Sequence, residues 1–408
     1  MVPFSTTTHG VTQQKRLLRV HASPGGYGMD ASRFSEYFNH IVSVEIPMSL
    51  ECNLRCKYCY ITDPHFKTTP VSLVEVNRVI DAVLECFPAY QKEGETGIIP
   101  WGAEPGCNWA VIEEALRYAF SLPIPSRIVT GWSTNLTILN RRMLDFIREY
   151  CDRITSLQVS IDGDEEVHDY SRRTVNGNGT YRIVRSNLDL LLKECECLAS
   201  RIVYKSTLHP EQLELLHYSK AVEFFLTELK LKTDPVTIVN DRPYTRSQVS
   251  GLKESFDILK KRWDKIKAKN EDAMIGYFRK IMQPDEYHCS AYKTQVAVDI
   301  NGNIYPCHEP TTSSSFSKNA FLLGNVFNKT VNPKGIMVTI NLKYNISAFR
   351  TPLCKNCEVY HIAPQLCFPC PFDALRSTSS PFLFPISSCY ARKAIVEKYQ
   401  EWMNDGLL

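Results

Sequence analysis

Several features are scarce in this chain of 408 residues. No apolar run reaches the ~20 residues that a membrane-spanning helix needs, so no membrane partner is expected. No long basic run is present and the net charge is only +3, which removes the electrostatic case for nucleic acid. The first residues, Met1 to Lys15, are polar and lack the apolar core of a secretory signal. A cytoplasmic protein is expected on these grounds. The balance of 44% apolar and 22% charged residues is that of an ordinary globular protein. The length allows one large domain or two to three smaller ones.

Cysteine is plentiful. Fifteen are present, and a reducing compartment disfavours disulfides between them. Three fall at Cys52, Cys56 and Cys59, and seven lie between Cys289 and Cys389. Such clustering favours metal or cluster ligation at both places. The other five, Cys86, Cys107, Cys151, Cys195 and Cys197, are scattered and read as core thiols.

The first group forms a C-x3-C-x2-C array after a strand-like run, Ile41 to Ser49. Three thiolates so close in sequence can hold three corners of one iron–sulfur cube and leave an iron open to a small molecule. The alternative is a structural zinc knuckle, for which a fourth ligand is needed. Asp63 and His65 are the nearest donors, at no familiar spacing.

The array, with Tyr58 before its third cysteine, resembles the signature of radical SAM enzymes. The resemblance implies a [4Fe-4S] cluster whose open iron binds S-adenosyl-L-methionine and generates a 5′-deoxyadenosyl radical. Residues 41 to about 240 support the same reading by alternating six strand-like and helix-like segments. Six repeats are too few for a closed eight-fold barrel. The fold class expected is α/β, a partial (β/α)6 TIM-like barrel.

Ligands gather at the C-terminal ends of parallel strands. Strand 2 ends in Gly102-Ala103-Glu104-Pro105, similar to the family's Gly-Gly-Glu-Pro motif, which holds the methionine amino group. Strand 3 ends in Ser133-Thr134-Asn135, and Asn135 matches a cofactor contact of the family. Strand 4 ends in Ser160-Ile161-Asp162-Gly163, followed by His168, Arg172 and Gly177-Asn178-Gly179-Thr180-Tyr181. That run resembles SPASM-type radical SAM enzymes. By resemblance, Ser160 and Asp162 serve the ribose and ammonium, Arg172 the methionine carboxylate and Tyr58 the adenine. An arginine suits a carboxylate because its fork binds both oxygens. His168 reads as a residue that fixes the loop.

The late cysteines begin with C-x12-G-x4-C, where Asn301-Gly302 is expected to form a type I′ hairpin turn between Gln295–Ile300 and Asn303–Tyr305. They continue as Cys354-x2-Cys357, Cys367-x2-Cys370 and Cys389. This order resembles the SPASM domain, which carries two auxiliary [4Fe-4S] clusters. By resemblance, Cys354, Cys357, Cys367 and Cys389 hold the outer cluster, and Cys289, Cys307 and Cys370 the inner one. The inner cluster then has an open iron or a fourth ligand from elsewhere. A rubredoxin-like zinc site made of Cys354/Cys357 and Cys367/Cys370 is the metal alternative. His308 and Glu309 follow Cys307 directly. Sulfatase-maturing relatives have an aspartate base in the first of these positions, so histidine here points away from that substrate. His308 and Glu309 become the candidate catalytic proton acceptors.

The organisation expected is an N-terminal arm (1–40), the barrel (41–243), a solvated helical linker (244–285), a small cysteine-rich SPASM domain with short strands (286–395) and a tail (396–408). The resemblance implies a maturase that acts on a ribosomally made precursor peptide and forms a crosslink or another oxidised side chain. An electron donor such as flavodoxin or ferredoxin is the second partner implied. Oxidation of a small molecule or of a protein side chain is the alternative reaction, and a non-catalytic iron–sulfur scaffold is a third reading. The run Pro381-Phe382-Leu383-Phe384-Pro385, with Pro371-Phe372, reads as cluster packing or as the wall of a peptide groove.

Overall fold

The structure is a computed structural model that describes residues 34–61, 71–239, 242–283, 291–312, 319–344, 354, 356–367, 370, 372 and 386–408. Most of the expected arm, Cys289, Asp63, His65 and the Pro381–Pro385 run lie outside these residues.

Six parallel strands follow one another across the sheet. They are β1 (Ser43–Ser49), β2 (Glu95–Gly102), β3 (Arg127–Thr134), β4 (Ile154–Ser160), β5 (Ile202–Leu208) and β6 (Val236–Ile238). β1 is buried along nearly its whole length, as a strand covered on both faces must be. Helices between the strands cover the outer face. Leu73–Cys86 shows why these segments become helices. Ser72 and Glu75 form a capping box, and Val76, Val79, Ile80, Val83 and Leu84 supply the buried stripe.

The barrel does not close. On its other edge β1 pairs in parallel with β7 (Gln295–Val298). The short strands β8 (Asn303–Tyr305), β9 (Gly324–Asn325) and β10 (Thr330–Val331) continue outward as antiparallel neighbours. The cysteine-rich part therefore extends the barrel's own sheet. The antiparallel β8 brings Tyr305 level with Ala297 and so with Glu45 of β1, which places the following Cys307 and His308 beside that strand.

The β7–β8 turn differs from expectation. A type I′ turn needs positive φ at both central residues, yet only Gly302 has it, at +78°. The Asp299 carboxylate accepts hydrogen bonds from Asn301 N and Asn303 N, and Gly302 N donates to Asp299 O. The aspartate shapes a three-residue loop with glycine in the left-handed position.

The linker also differs. Helix Arg246–Lys269 buries Leu252, Phe256, Leu259, Trp263 and Ile266, spaced four and three residues apart. Its many charges lie on the opposite face and disguise the stripe. Phe256 stacks on Phe278, and Trp263 meets Trp402 edge-on. Trp402 belongs to helix Ile386–Asn404 and is fully buried, so the expected tail is a packed element. The end of the expected arm is packed as well. Helix Phe34–Phe38 inserts Phe34 and Phe38 against Phe87.

Cys151 and Cys197 are joined in a disulfide, against the expectation of reduced core thiols. The turn Cys151–Arg153 before β4 and the turn Glu196–Arg201 before β5 pack side by side, which brings the two residues together.

Candidate active site

The cysteine loop leaves β1 and is pinned at once. Arg55 N donates to Arg173 O at 2.8 Å, and Lys57 N to Ser171 O at 3.1 Å. Leu54, almost fully buried, bridges to Thr174. The three thiols are then close enough for each to feel the others' charge. Burial pushes Cys52 and Cys56 up to about 11. Cys52 Sγ also accepts a hydrogen bond from Leu54 N.

The end of β2 is stitched to the end of β1. Ala103 N donates to Ser49 O, Glu104 N to Glu51 O, and Ser49 Oγ to Glu104 O. Gly102 has φ +153°, and a Cβ there would lie 1.6 Å from Ser49 O, so this position demands glycine. Position 103 has no such constraint, which is why alanine is accepted there. Glu104 is almost fully buried. Its carboxylate accepts from Gly106 N at 3.0 Å, Thr134 Oγ1 at 2.7 Å and Asn135 N at 2.6 Å. Burial raises its pKa, and these three donors pull it back. Glu104 thus joins the ends of β2 and β3. The Asn135 side chain donates to Asn53 Oδ1, beside Cys52.

The end of β4 carries a buried ion pair. Asp162 lies 3.1 Å from Arg172 Nε, accepts from Tyr58 Oη at 2.7 Å and accepts from Thr207 N at 3.1 Å. Burial raises Asp162, opposed chiefly by Arg172. Burial works against the Arg172 charge, but Asp162, Tyr58 and Cys56 together outweigh it and keep the guanidinium protonated. The guanidinium stands 5.3 Å from the centre of the Tyr58 ring. Asp162 is thus occupied by donors of its own chain. Its role in this structure is to aim Arg172 and Tyr58. The terminal nitrogens of Arg172 make no hydrogen bond among the described residues, and a planar carboxylate matches that free edge. Ser160 is half-buried at the last position of β4, opposite Lys205.

His168 is fully buried and structural. Asp162 N donates to its Nδ1, and its Nε2 lies 3.1 Å from Thr180 Oγ1. Burial lowers its pKa to about 3, with the Arg172 charge acting in the same direction.

Further along β1, Glu45 takes both N–H groups of His308. The backbone N is 3.1 Å from Oε2, and Nδ1 is 3.0 Å from the carboxylate. Trp101 of β2 stacks on the imidazole with ring centres 5.2 Å apart. Burial would lower the His308 pKa, but Glu45 and, less strongly, Glu309 together more than offset it and raise it. Glu309 begins the turn Glu309–Thr312, and its backbone N–H donates to Cys307 Sγ.

The late cysteines fall into two groups. Cys307 lies near Cys370, walled by Phe321 and Phe372. Burial raises the Cys307 thiol strongly. Phe372 therefore packs against this pair. Cys354, Cys357, Cys367 and Cys389 form the second group, again within reach of one another's charge. Burial lifts Cys367 to about 12 and also raises Cys389. The insert between Cys357 and Cys367 is a short helix, Glu358–Ile362, and the turn Pro364–Cys367. Among the described residues, no three His, Cys, Asp or Glu side chains meet at the spacing of a single metal ion.

These donor sets suit iron–sulfur clusters. Each is a group of sulfurs close to one another, most of them half-buried, and the first adjoins an arginine with a free edge. Three contributors were missed in the sequence. Glu45 was readable as a lone charge inside an apolar strand. Arg392, buried beside Cys389 and Cys367, was readable as the residue one helical turn after Cys389. Cys107 lies beside Cys52 and accepts from Asn53 N, a place that its position just after the Gly102-Ala103-Glu104-Pro105 turn signalled.

Residues 46–217 match the family model of the Radical SAM superfamily. The serine-type anaerobic sulfatase-maturating enzyme of Klebsiella aerogenes is 30% identical over 154 residues, 36% of this chain and 35% of its own length. The chain thus spans about a third of that relative. The cysteine-type enzyme of Clostridium novyi is 22% identical over 350 residues, 79% of this chain and 86% of its own. In fold, the chain resembles native anSMEcpe with bound AdoMet, with a TM-score of 0.60 at 17% identity over 90% of this chain and 97% of that one. The same protein with bound AdoMet and Cp18Cys peptide gives 0.60 at 18% identity, with the same coverage of both chains.

Proposed function

We propose that this enzyme, which carries a radical SAM domain and is related to the anaerobic sulfatase maturases, oxidises side chains of a ribosomally made peptide and closes a crosslink or a comparable new bond. The carrying observation is the arrangement at the barrel mouth. A half-buried cysteine loop adjoins the free edge of Arg172 at the strand ends, and Glu45, lower on β1, holds His308 next to Cys307 of a second cysteine group. Support also comes from the solved relative of the same fold that holds a peptide. Histidine at position 308, where the sulfatase-maturing relatives have aspartate, favours a peptide other than a sulfatase.

When bound, the [4Fe-4S] cluster and S-adenosyl-L-methionine supply a hydrogen-abstracting radical, and the auxiliary clusters supply a one-electron acceptor. The chain provides the rest. Cys52, Cys56 and Cys59 bind the first cluster. Arg172 takes the methionine carboxylate. The Gly102-Ala103-Glu104 turn holds the amino group, Asn135 and Ser160 the ribose, and Tyr58 the adenine. Cys354, Cys357, Cys367 and Cys389 form the outer auxiliary site. Cys307 and Cys370, with Cys289, form the inner one. His308 takes the proton that leaves the substrate, with Glu309 beside it. The electron donor is a small carrier of the flavodoxin or ferredoxin type. The proposed compartment is the cytoplasm, and no helix among the described residues is long and apolar enough to cross a membrane.

The test is anaerobic co-expression with candidate short precursor peptides, followed by mass spectrometry. The expected product has lost two hydrogens, and it is absent with C56A. Peptides of unchanged mass, with S-adenosylmethionine still cleaved, would contradict the proposal.

A further inference from the structure

A carboxylate inside a parallel strand is costly unless it is fully hydrogen-bonded. Glu45 sits between Val44 and Ile46, both completely buried, and is itself only 8% exposed. Its donors are the backbone N–H and Nδ1 of His308. A surface ion pair would not need two donors from one residue. The double contact fixes both where His308 lies and how its ring is turned.

Hydrogen-bond chemistry then decides the tautomer. An ionised carboxylate only accepts, so Nδ1 carries the hydrogen. The neutral ring must keep its lone pair on Nε2. Nε2 makes no hydrogen bond among the described residues. The side chain is 29% exposed, so the ring is not sealed in the core. Trp101 covers one face of the ring with planes 21° apart, which restrains rotation. Lys205 of β5 adds a positive charge within reach of the same ring.

We infer that Glu45 is the positioning residue of the reaction, holding His308 so that Nε2 faces the substrate as a proton acceptor, with Trp101 fixing the plane of the ring. The inference rests on the reading of the chain as an oxidase of peptide side chains. In the reaction the substrate loses three things. A C–H hydrogen atom goes to the 5′-deoxyadenosyl radical. A proton from the group that forms the new bond goes to Nε2. One electron goes to an iron–sulfur centre. The new bond takes the place of the C–H and X–H bonds, and His308 returns its proton to water. The carboxylate and the imidazole together occupy the role that a single aspartate fills in the sulfatase-maturing relatives.

The test uses holoenzyme and the peptide that wild type converts, with E45L, E45Q and H308N. Product and 5′-deoxyadenosine are counted in the same reaction, and iron per chain is measured alongside. H308N keeps a donor toward Glu45 and loses Nε2, so product kcat falls furthest, by about 10²- to 10⁴-fold. E45L falls by at least about tenfold, and E45Q, which keeps one acceptor, falls less. In all three, iron content, peptide KM and 5′-deoxyadenosine release stay within about twofold of wild type, because binding and radical formation do not use this pair. Unchanged product per 5′-deoxyadenosine in E45L and E45Q would overturn the inference. So would a joint loss of iron, 5′-deoxyadenosine and product in E45Q, which would mark Glu45 as a brace for the Cys307 loop. Should wild type oxidise a polyol and no peptide, the peptide reading fails by itself, and the same ratio measured with the polyol still scores Glu45.

Discussion

The two ends of the barrel treat charge in opposite ways. At the N-terminal ends of the strands, Arg127 bridges Glu95 and Asp152 in full view of solvent. Arg117 reaches Glu149 in the same manner. At the C-terminal ends, Glu104, Asp162 and Arg172 are all buried. Exposed pairs are worth little, whereas a buried charge that loses its partner is expensive. The lower end is therefore tolerant. The upper end holds its polar groups in place before any ligand arrives, as the cofactor site proposed above would require.

The comparison breaks most completely at the cluster loop. C56S leaves two thiols of three, and reductive cleavage of S-adenosylmethionine should vanish, as measured by 5′-deoxyadenosine release. R172A comes next. It strands Asp162 without its cation, so about 3–5 kcal/mol of stability is lost in urea denaturation. It also removes the carboxylate fork, so the KM for S-adenosylmethionine rises by at least about tenfold. G102A forces a Cβ onto Ser49 O and lowers stability by about 1–3 kcal/mol, read as a fall in Tm.

A subtler contrast lies in acid. His168 has a folded pKa of about 3 against 6.5 in the free residue. Its unfolded form takes up a proton first as pH falls, so stability is intact above pH 6.5 and declines toward pH 3. The slope from this residue approaches about 1.4 kcal/mol per pH unit. H168Q lowers stability at neutral pH, through the lost bonds to Asp162 and Thr180, but flattens the decline between pH 6.5 and 5. At the other end of the barrel, R127A should cost less than about 1 kcal/mol.

Much of this was legible in the sequence because the signals are local. β-branched runs alternating with helical stripes gave the six strands in their true order. The Cys52–Cys59 spacing and the strand-end motifs marked the mouth of the barrel. What stayed hidden was set by tertiary contact. The charges of Arg246–Lys269 masked a buried stripe whose partner, Trp402, lies far along the chain. Asp299 overrode the Asn-Gly turn through its own side chain. Asp162 could be picked out as polar and near the site, but its use by Tyr58, Thr207 and Arg172 could not. Glu45 meets His308 across 263 residues, and no spacing rule reaches that far.

The central claim is that the radical formed above the cysteine loop takes its hydrogen from a peptide held in the lumen. Holoenzyme incubated with a candidate peptide deuterated at its side chains tests this directly, with 5′-deoxyadenosine analysed by mass spectrometry. Deuterium appearing in 5′-deoxyadenosine as the peptide loses two hydrogens is the result this account predicts. Unlabelled 5′-deoxyadenosine from every peptide offered, with label transferred from a deuterated polyol instead, would contradict it.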